Sequence, residues 1–211
     1  MLAVVLAGGE NRRLPITKGL IEIGGKRLIE TLLAALSGLF GDLAISTNEP
    51  EKYYYLGVPL IGDVYPVRGP MTGIFSALSF YSGRFGDAFF TACDMPFINM
   101  GLASRLAAMR QGGWEGDGGW EAAAPMWKGR PEPLFAFYSS RGLPSMERRL
   151  LAGKPSLRDF LADGARTLYL DERDVRVVDP QGFSFININT AEDLEAASHL
   201  ALQNGKGGPA R

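Results

Sequence analysis

The chain opens with an apolar run, residues 2–7, that breaks abruptly into Gly8-Gly9. The run is short and rich in Val and Leu, which suits a parallel strand buried on both faces. Such a strand needs neighbours on both edges and helices over both faces, so it commits the architecture before the rest of the chain is read. The glycines let backbone N–H groups approach an anion without a Cβ in the way. Arg12, Arg13 and Lys18 follow within one short loop. A buried strand that ends in glycines and then offers cations is a pattern for holding the phosphates of a nucleoside triphosphate. The cations neutralise the charge that moves when a phosphate bond breaks.

The first half continues the alternation. Residues 26–38 place Leu28, Ile29, Leu32, Leu33 and Leu36 at helical spacing, with Gly38 as a stop. Residues 43–47 and 59–61 read as further strands, ending at Asn48 and at Gly62-Asp63. Gly69-Pro70 opens a helix through about Phe80, and Pro70 suits its first turn. Residues 88–93 form a fourth apolar strand that runs into Asp94-Met95-Pro96, and residues 99–110 form a helix with Leu102, Leu106 and Met109 on one face. This alternation predicts an α/β, three-layer, Rossmann-like fold: a mostly parallel sheet with helices on both faces. Ligands of such sheets sit beyond the carboxyl ends of the strands. Gly8-Gly9, Asn48, Asp63 and Asp94 all fall there.

The second half is less regular. Residues 112–120 are glycine-rich and read as a surface loop, whose Trp114 and Trp120 are candidates to close over a ligand. Residues 122–127 and 134–138 suit antiparallel strands joined by Lys128-Gly129-Arg130-Pro131. Residues 143–151 and 157–161 read as helices and residues 176–178 as a late strand. Thr190 caps a final helix, with Asp193 three residues on, as in a capping box that uses Asp instead of Glu or Gln. Residues 204–211 are polar and glycine-rich and read as a flexible tail. No repeat or linker divides the chain, so residues 1–203 are expected to form a single domain.

The net charge of −1 gives no general affinity for nucleic acid or an acidic membrane, so phosphate binding has to come from a local cluster. The one cysteine, Cys93, excludes an intrachain disulfide and a cysteine zinc cage. No apolar run approaches the ~18 residues of a membrane helix. There is also no basic n-region with a cleavage site at the start, so the cytoplasm is the expected location. The Gly-Gly loop matches neither the Walker pattern (Lys18-Gly19 is in the wrong order) nor Gly-x-Gly-x-x-Gly, which argues against an ATPase or a dehydrogenase.

Asp94 is the key anionic residue. A carboxylate at the end of a buried strand is costly unless it is hydrogen-bonded or meets a cation. Mg²⁺ bridging phosphates meets that need, since it takes one or two carboxylates plus phosphate oxygens and water. The other reading is a carboxylate capping the following helix. Asp63 reads equally as a ligand contact or as a turn-former. Cys93 reads as a small buried hydrophobe, and the sole histidine, His199, as an incidental helix residue.

Residues Leu6-Ala7-Gly8-Gly9, Arg13 and Lys18 resemble the signature Leu-Ala-Gly-Gly-x-Ser-x-Arg-Met-Gly-x-x-Lys of the molybdenum cofactor guanylyltransferases. Later segments resemble the same family in the same order: Gly69-Pro70-Met71-Thr72-Gly73-Ile74, Cys93-Asp94-Met95-Pro96, Arg130-Pro131-Glu132-Pro133-Leu134, Ser156-Leu157-Arg158-Asp159-Phe160-Leu161 and Asn187-Ile188-Asn189-Thr190. The resemblance implies a nucleotidyltransferase fold and transfer of GMP from GTP to molybdopterin with release of pyrophosphate and with Mg²⁺ present. It further implies that Leu6, Ala7, Gly8 and Gly9 line the nucleotide and that Lys18 holds phosphate. Asn48 and Asp63 would seat the nucleoside, Asp94 would bind Mg²⁺, and Asn187 and Asn189 would lie on the acceptor side. Arg13, Lys18 and Asp94 are then the catalytic candidates, Arg13 being favoured over Arg12 by the register of the motif. Proteins that deliver molybdenum cofactor or accept the product are implied partners.

Two departures stand out. Asn11 replaces the usual Ser, and Leu14-Pro15 replaces Met-Gly; proline fixes φ and has no N–H to give a phosphate. A CTP-using cytidylyltransferase or another nucleotidyltransferase on the same fold, and a non-catalytic binding homologue, stay open at this point.

Overall fold

The computed structural model describes residues 1–8, 17–112, 119–163 and 165–206. Its centre is a sheet of strands β1 (Leu2–Leu6), β4 (Asp42–Ser46), β5 (Leu60–Ile61), β6 (Asp87–Ala92), β7 (Ala122–Trp127), β8 (Arg130–Pro131), β9 (Phe135–Ser139) and β10 (Thr167–Leu170). The order across it is β5-β4-β1-β6-β9-β7-β10, with β8 hanging from β7. β5, β4, β1 and β6 are mutually parallel, β9 runs antiparallel to both β6 and β7, and β10 lies parallel to β7. A separate two-stranded ribbon pairs β2 (Glu22–Ile23) with β3 (Lys26–Arg27).

β1 is buried at all five positions, and its alternation divides the core. Ala3 and Val5 face the layer of helices α1 (Leu28–Leu36), α3 (Met100–Gln111) and α6 (Glu172–Val178). Leu2, Val4 and Leu6 face α2 (Pro70–Tyr81), α4 (Leu143–Leu151) and α5 (Leu157–Asp163). The expected three-layer α/β fold is therefore present. A third, small cluster of Ile21, Leu28, Ile188 and Ala197 seats the last helix, α7 (Ala191–Lys206), near the β2–β3 ribbon.

Several local expectations shift. The helix expected over residues 26–38 begins at Leu28, because Lys26 and Arg27 complete the β2–β3 ribbon around Gly24 and Gly25, whose φ values are 61° and 77°. Lys128 and Gly129, both at positive φ, make a two-residue turn that folds β8 back onto β7, so the segment is a hairpin of its own and not a plain link to β9. Residues 176–178 are not a strand. Asp171 caps α6 by accepting the Arg173 N–H at 2.8 Å, and Arg176 pairs with Glu172 one turn back at 2.6 Å. The apolar pair Val177-Val178 imitates a strand, yet Val177 is 66% exposed, as a helix surface allows. The late strand is β10, a half-exposed edge strand whose weak pattern gives no signal. α7 continues to Lys206, into the stretch expected as tail, and residues 207–211 lie outside the described residues.

The topology positions the site. From β1 the chain steps outward through α1 to β4 and β5, then returns through α2 to lay β6 on the other side of β1. The strand order reverses beside β1, and the ligand crevice of an open α/β sheet opens at such a reversal. Gly73 lets α2 come close to this point: a Cβ there would lie 2.6 Å from Ser46 Oγ and 3.2 Å from a Leu6 methyl carbon.

Candidate active site

Four strands end in residues that the sequence singles out: Gly8 after β1, Asn48 after β4, Asp63 after β5 and Asp94 after β6. They form two linked pairs. On the β4–β5 side, Asn48 Nδ2 donates to Asp63 Oδ2 at 2.7 Å, and the Asp63 N–H donates to Asn48 Oδ1 at 2.8 Å. Burial raises the Asp63 pKa above its ordinary value, and the hydrogen bond from Asn48 opposes that rise. The Asp63 carboxylate is thus bound across the loops and does not close a turn of its own.

On the β1–β6 side, Lys18 Nζ donates to Asp94 Oδ2 at 2.6 Å and to Asn189 Oδ1 at 2.6 Å. The Asp94 side chain is 12% exposed and that of Lys18 26%. Asp94 does not cap α3: that role belongs to Asn99, whose Oδ1 accepts the Leu102 N–H at 3.0 Å. The Asp94 carbonyl accepts the Ile188 N–H at 2.9 Å, which docks the segment 187–189 against the end of β6. Asn189 is steadied by the expected capping box. Asp193 Oδ2 accepts the N–H groups of Asn189 and Thr190 at 2.9 Å each, and Thr190 Oγ1 accepts the Asp193 N–H at 3.1 Å. Those backbone donors hold the Asp193 pKa below its ordinary value.

The remaining candidates divide. The Leu6 carbonyl accepts the Cys93 N–H at 3.0 Å and the Ala7 N–H donates to the Ser46 carbonyl at 2.9 Å, so both residues knit the strand ends together beneath the crevice. Asn187 is in the docked segment, but its side-chain amide donates to the Phe185 carbonyl at 3.2 Å and not to the Lys18 cluster. Gly9, Asn11, Arg12, Arg13, Leu14 and Pro15 lie outside the described residues, as does Trp114. Trp120 packs against the α1–α3 core as a partly buried residue. His199 is exposed on α7. Cys93 is buried as expected, and burial pushes its thiol up to about 12, reinforced by Asp94 and opposed by Lys18 and backbone amides.

Among the described residues no group of three or more His, Cys, Asp or Glu is placed to form a cage. A single strand-end carboxylate beside a lysine suits Mg²⁺ that draws its other ligands from phosphates and water, and it does not suit a structural zinc. A shallow depression of about 350 Å³ lies elsewhere, lined among others by Thr31, Ala35, Phe97, Asn99, Asp179 and Phe183. Its one carboxylate, Asp179, is already occupied by the N–H groups of Phe183 and Ser184 at 2.9 and 2.8 Å, so the strand-end crevice is the stronger site.

Residues 3–169 match the MobA-like NTP transferase domain. The chain belongs to that family. It is 34% identical over 200 residues to a probable molybdenum cofactor guanylyltransferase of Natranaerobius thermophilus, covering 92% of this chain and 93% of the relative. It is 32% identical to the molybdenum cofactor guanylyltransferase of Desulfosudis oleivorans, covering 96% of each. Among solved structures, the molybdopterin-guanine dinucleotide biosynthesis protein A of Archaeoglobus fulgidus superposes with a TM-score of 0.78 at 28% identity, over 96% of this chain and all of the other. The two curated relatives are named as guanylyltransferases, and the family and fold expected from the ordered motifs are both present. Sequence reasoning misses Gly19, Lys52 and Tyr53, which meet at the turn that carries Lys18: Lys52 Nζ donates to Thr17 Oγ1, and Gly19 lies against the Tyr53 ring. Tyr53 is one of three consecutive tyrosines, and nothing in that run distinguishes the buried one.

Proposed function

We propose that this chain transfers GMP from GTP to the terminal phosphate of molybdopterin, releasing pyrophosphate and forming the guanine dinucleotide cofactor. The observation that carries the reading is the position of Lys18 between Asp94 and Asn189, at the point where strand order reverses. The names of the full-length relatives supply the substrates.

On this reading Asn48 and Asp63 seat the nucleoside, and Gly8 with Gly9 gives the triphosphate close backbone approach. Lys18 neutralises phosphate charge, a role the motif assigns to Arg13 as well. Asn189 and Asn187 face the acceptor. Asp94 would hold Mg²⁺, which when bound supplies charge neutralisation at the phosphates. The acceptor phosphate oxygen attacks the α-phosphorus in line; the new P–O bond forms as the bond to the bridging oxygen of the β-phosphate breaks, and pyrophosphate leaves with that electron pair. The acceptor is already anionic near neutral pH, so no strong general base is needed, which agrees with the exposed place of His199 on α7. Catalysis rests on positioning and charge.

No helix of the described residues is long and apolar enough to cross a membrane. The proposed reaction belongs in the cytoplasm, between proteins that deliver molybdenum cofactor and proteins that accept the product. The test is pyrophosphate release from GTP, CTP, ATP and UTP with molybdopterin and Mg²⁺. Release with GTP far above the others is expected. Release with CTP instead makes the chain a cytidylyltransferase, and nucleotide binding without any release makes it a non-catalytic homologue.

A further inference from the structure

Immediately after Lys18 the backbone of Gly19 is buried against two groups. One is Tyr53, fully buried. A Cβ added at Gly19 would stand 2.9 Å from the Tyr53 hydroxyl oxygen and 3.2 Å from a ring carbon, so the turn fits against the ring only because position 19 carries no side chain. The other is the Cys93 thiol, close enough to feel both the Lys18 charge and the Gly19 amide. One residue earlier, Lys52 Nζ donates to Thr17 Oγ1 at 2.9 Å and also pairs with Glu49.

The Tyr53 hydroxyl is buried and has no hydrogen-bond partner among the described residues. An unpaired buried hydroxyl is destabilising, and phenylalanine would fill the pocket without that cost. What the hydroxyl adds is volume: it occupies the space a Cβ on residue 19 would take. Lys52 and Tyr53 also belong to the short segment that begins beyond β4 with Asn48. The residue on the nucleoside side and the grip on the lysine loop are therefore a few positions apart in one stretch of chain.

We propose that Tyr53, with Lys52, is a positioning residue for Lys18: together they clamp residues 17–19 and fix the ammonium relative to the Asn48–Asp63 pair. This rests on the reading of Lys18 as the lysine that holds phosphate. The clamp sets where Lys18 stands, and it touches neither nucleotide nor acceptor.

The experiment compares wild type, Gly19→Ala and the double variant Gly19→Ala/Tyr53→Phe by pyrophosphate-release kinetics, calorimetric GTP affinity and thermal melting. Gly19→Ala is expected to melt cooperatively yet lose about 10- to 100-fold in kcat/KM for GTP, with a weaker GTP affinity. The double variant removes the hydroxyl that the added methyl meets, and part of the loss is expected to return; the ring carbon at 3.2 Å keeps the recovery incomplete. A purely structural defect would lower the active fraction and leave the KM for GTP where it was. If Gly19→Ala does not fold, Thr17→Val, which removes the Lys52 anchor, is expected to weaken GTP affinity several-fold, and unchanged affinity overturns the clamp. Wild-type GTP affinity and kinetics in folded Gly19→Ala, or a double variant no better than the single one, also overturns it. If the wild-type chain binds GTP but releases no pyrophosphate, the proposed reaction fails and the clamp is judged on GTP affinity alone. If the wild-type chain takes CTP instead of GTP, the proposed reaction fails and the same comparisons are made with CTP; a wild-type chain that binds no nucleoside triphosphate overturns both.

Discussion

Lys18 and Asp94 lie 76 positions apart in the chain and 2.6 Å apart at their charged atoms. The pair ties the loop beyond β1 to the end of β6, across the reversal in strand order. Through Asn189 the same ammonium reaches a third part of the chain, which the Asp193 capping box holds in place. A carboxylate this enclosed needs a cation beside it, and a phosphate ligand entering the crevice needs the same ammonium. One arrangement therefore serves both folding and the proposed chemistry.

Asp94→Ala follows from that relationship. The proposed Mg²⁺ ligand is lost and Lys18 loses its carboxylate, so turnover is expected to fall by about 10³-fold or more. Lys18 keeps partial access to solvent, so the stability cost is expected to be only about 1–2 kcal/mol. Pyrophosphate release and chemical denaturation read the two effects separately. Near-normal turnover would remove Asp94 from the site.

Asp63 is expected to show a trade between stability and function. Burial raises its folded pKa above the ordinary 3.8, so the folded chain holds this proton more tightly than the unfolded chain does. Its contribution to stability is then fully present below the ordinary value and is lost as pH rises through the raised folded value. Asp63→Asn removes that loss and leaves an oxygen to accept from Asn48. The melting temperature of Asp63→Asn minus that of wild type is expected to rise as pH goes from 3 to 7, while GTP affinity drops. Parallel melting curves for the two proteins would contradict the assignment.

How far these features are legible in the sequence depends on the physics that encodes them. β1, β4 and β6 carry their apolar runs into the middle of the sheet, so the runs announce them, and the polar residues at their ends mark the crevice. Asp94 and Lys18 are visible as residue types at strand and loop positions, but their contact across 76 positions is not. The capping box at Thr190 is local and legible; its effect of fixing Asn189 for Lys18 is tertiary and is not. β10 and α6 mislead because an edge strand lacks clean alternation and a short helix with one buried face can carry two adjacent valines. Gly19 and Tyr53 meet only in three dimensions, so no spacing pairs them.

Gly182 is expected to be intolerant of a side chain. Its φ is +70°, and a Cβ would fall 2.2 Å from the Trp127 ring, inside any possible contact. Trp127 cannot swing aside freely, because Arg176 sits 4.4 Å over its ring and Phe185 lies 5.5 Å from it. Gly182→Ala combines left-handed backbone strain with overpacking and is expected to cost about 2–4 kcal/mol in urea denaturation. It should also disturb the segment that leads to Asn187 and Asn189. A loss under about 0.5 kcal/mol, the size of an ordinary surface change, would mean that the Trp127 packing yields easily.

Cys93 should be chemically silent in the folded chain. Its thiol is buried and pushed up to about 12, first by burial and then by the Asp94 carboxylate. The thiolate is the reactive form, so at pH 8 an alkylating reagent finds neither access nor nucleophile. Iodoacetamide is expected to leave the native protein unmodified by mass spectrometry and to add one group after denaturation, since Cys93 is the sole cysteine. A ligand that binds only the folded chain stabilises it by mass action, so on the proposed reading adding GTP at a mildly denaturing urea concentration should slow labelling further. Rapid alkylation of the native chain would place the thiol at the surface and undo the packing described beneath Lys18.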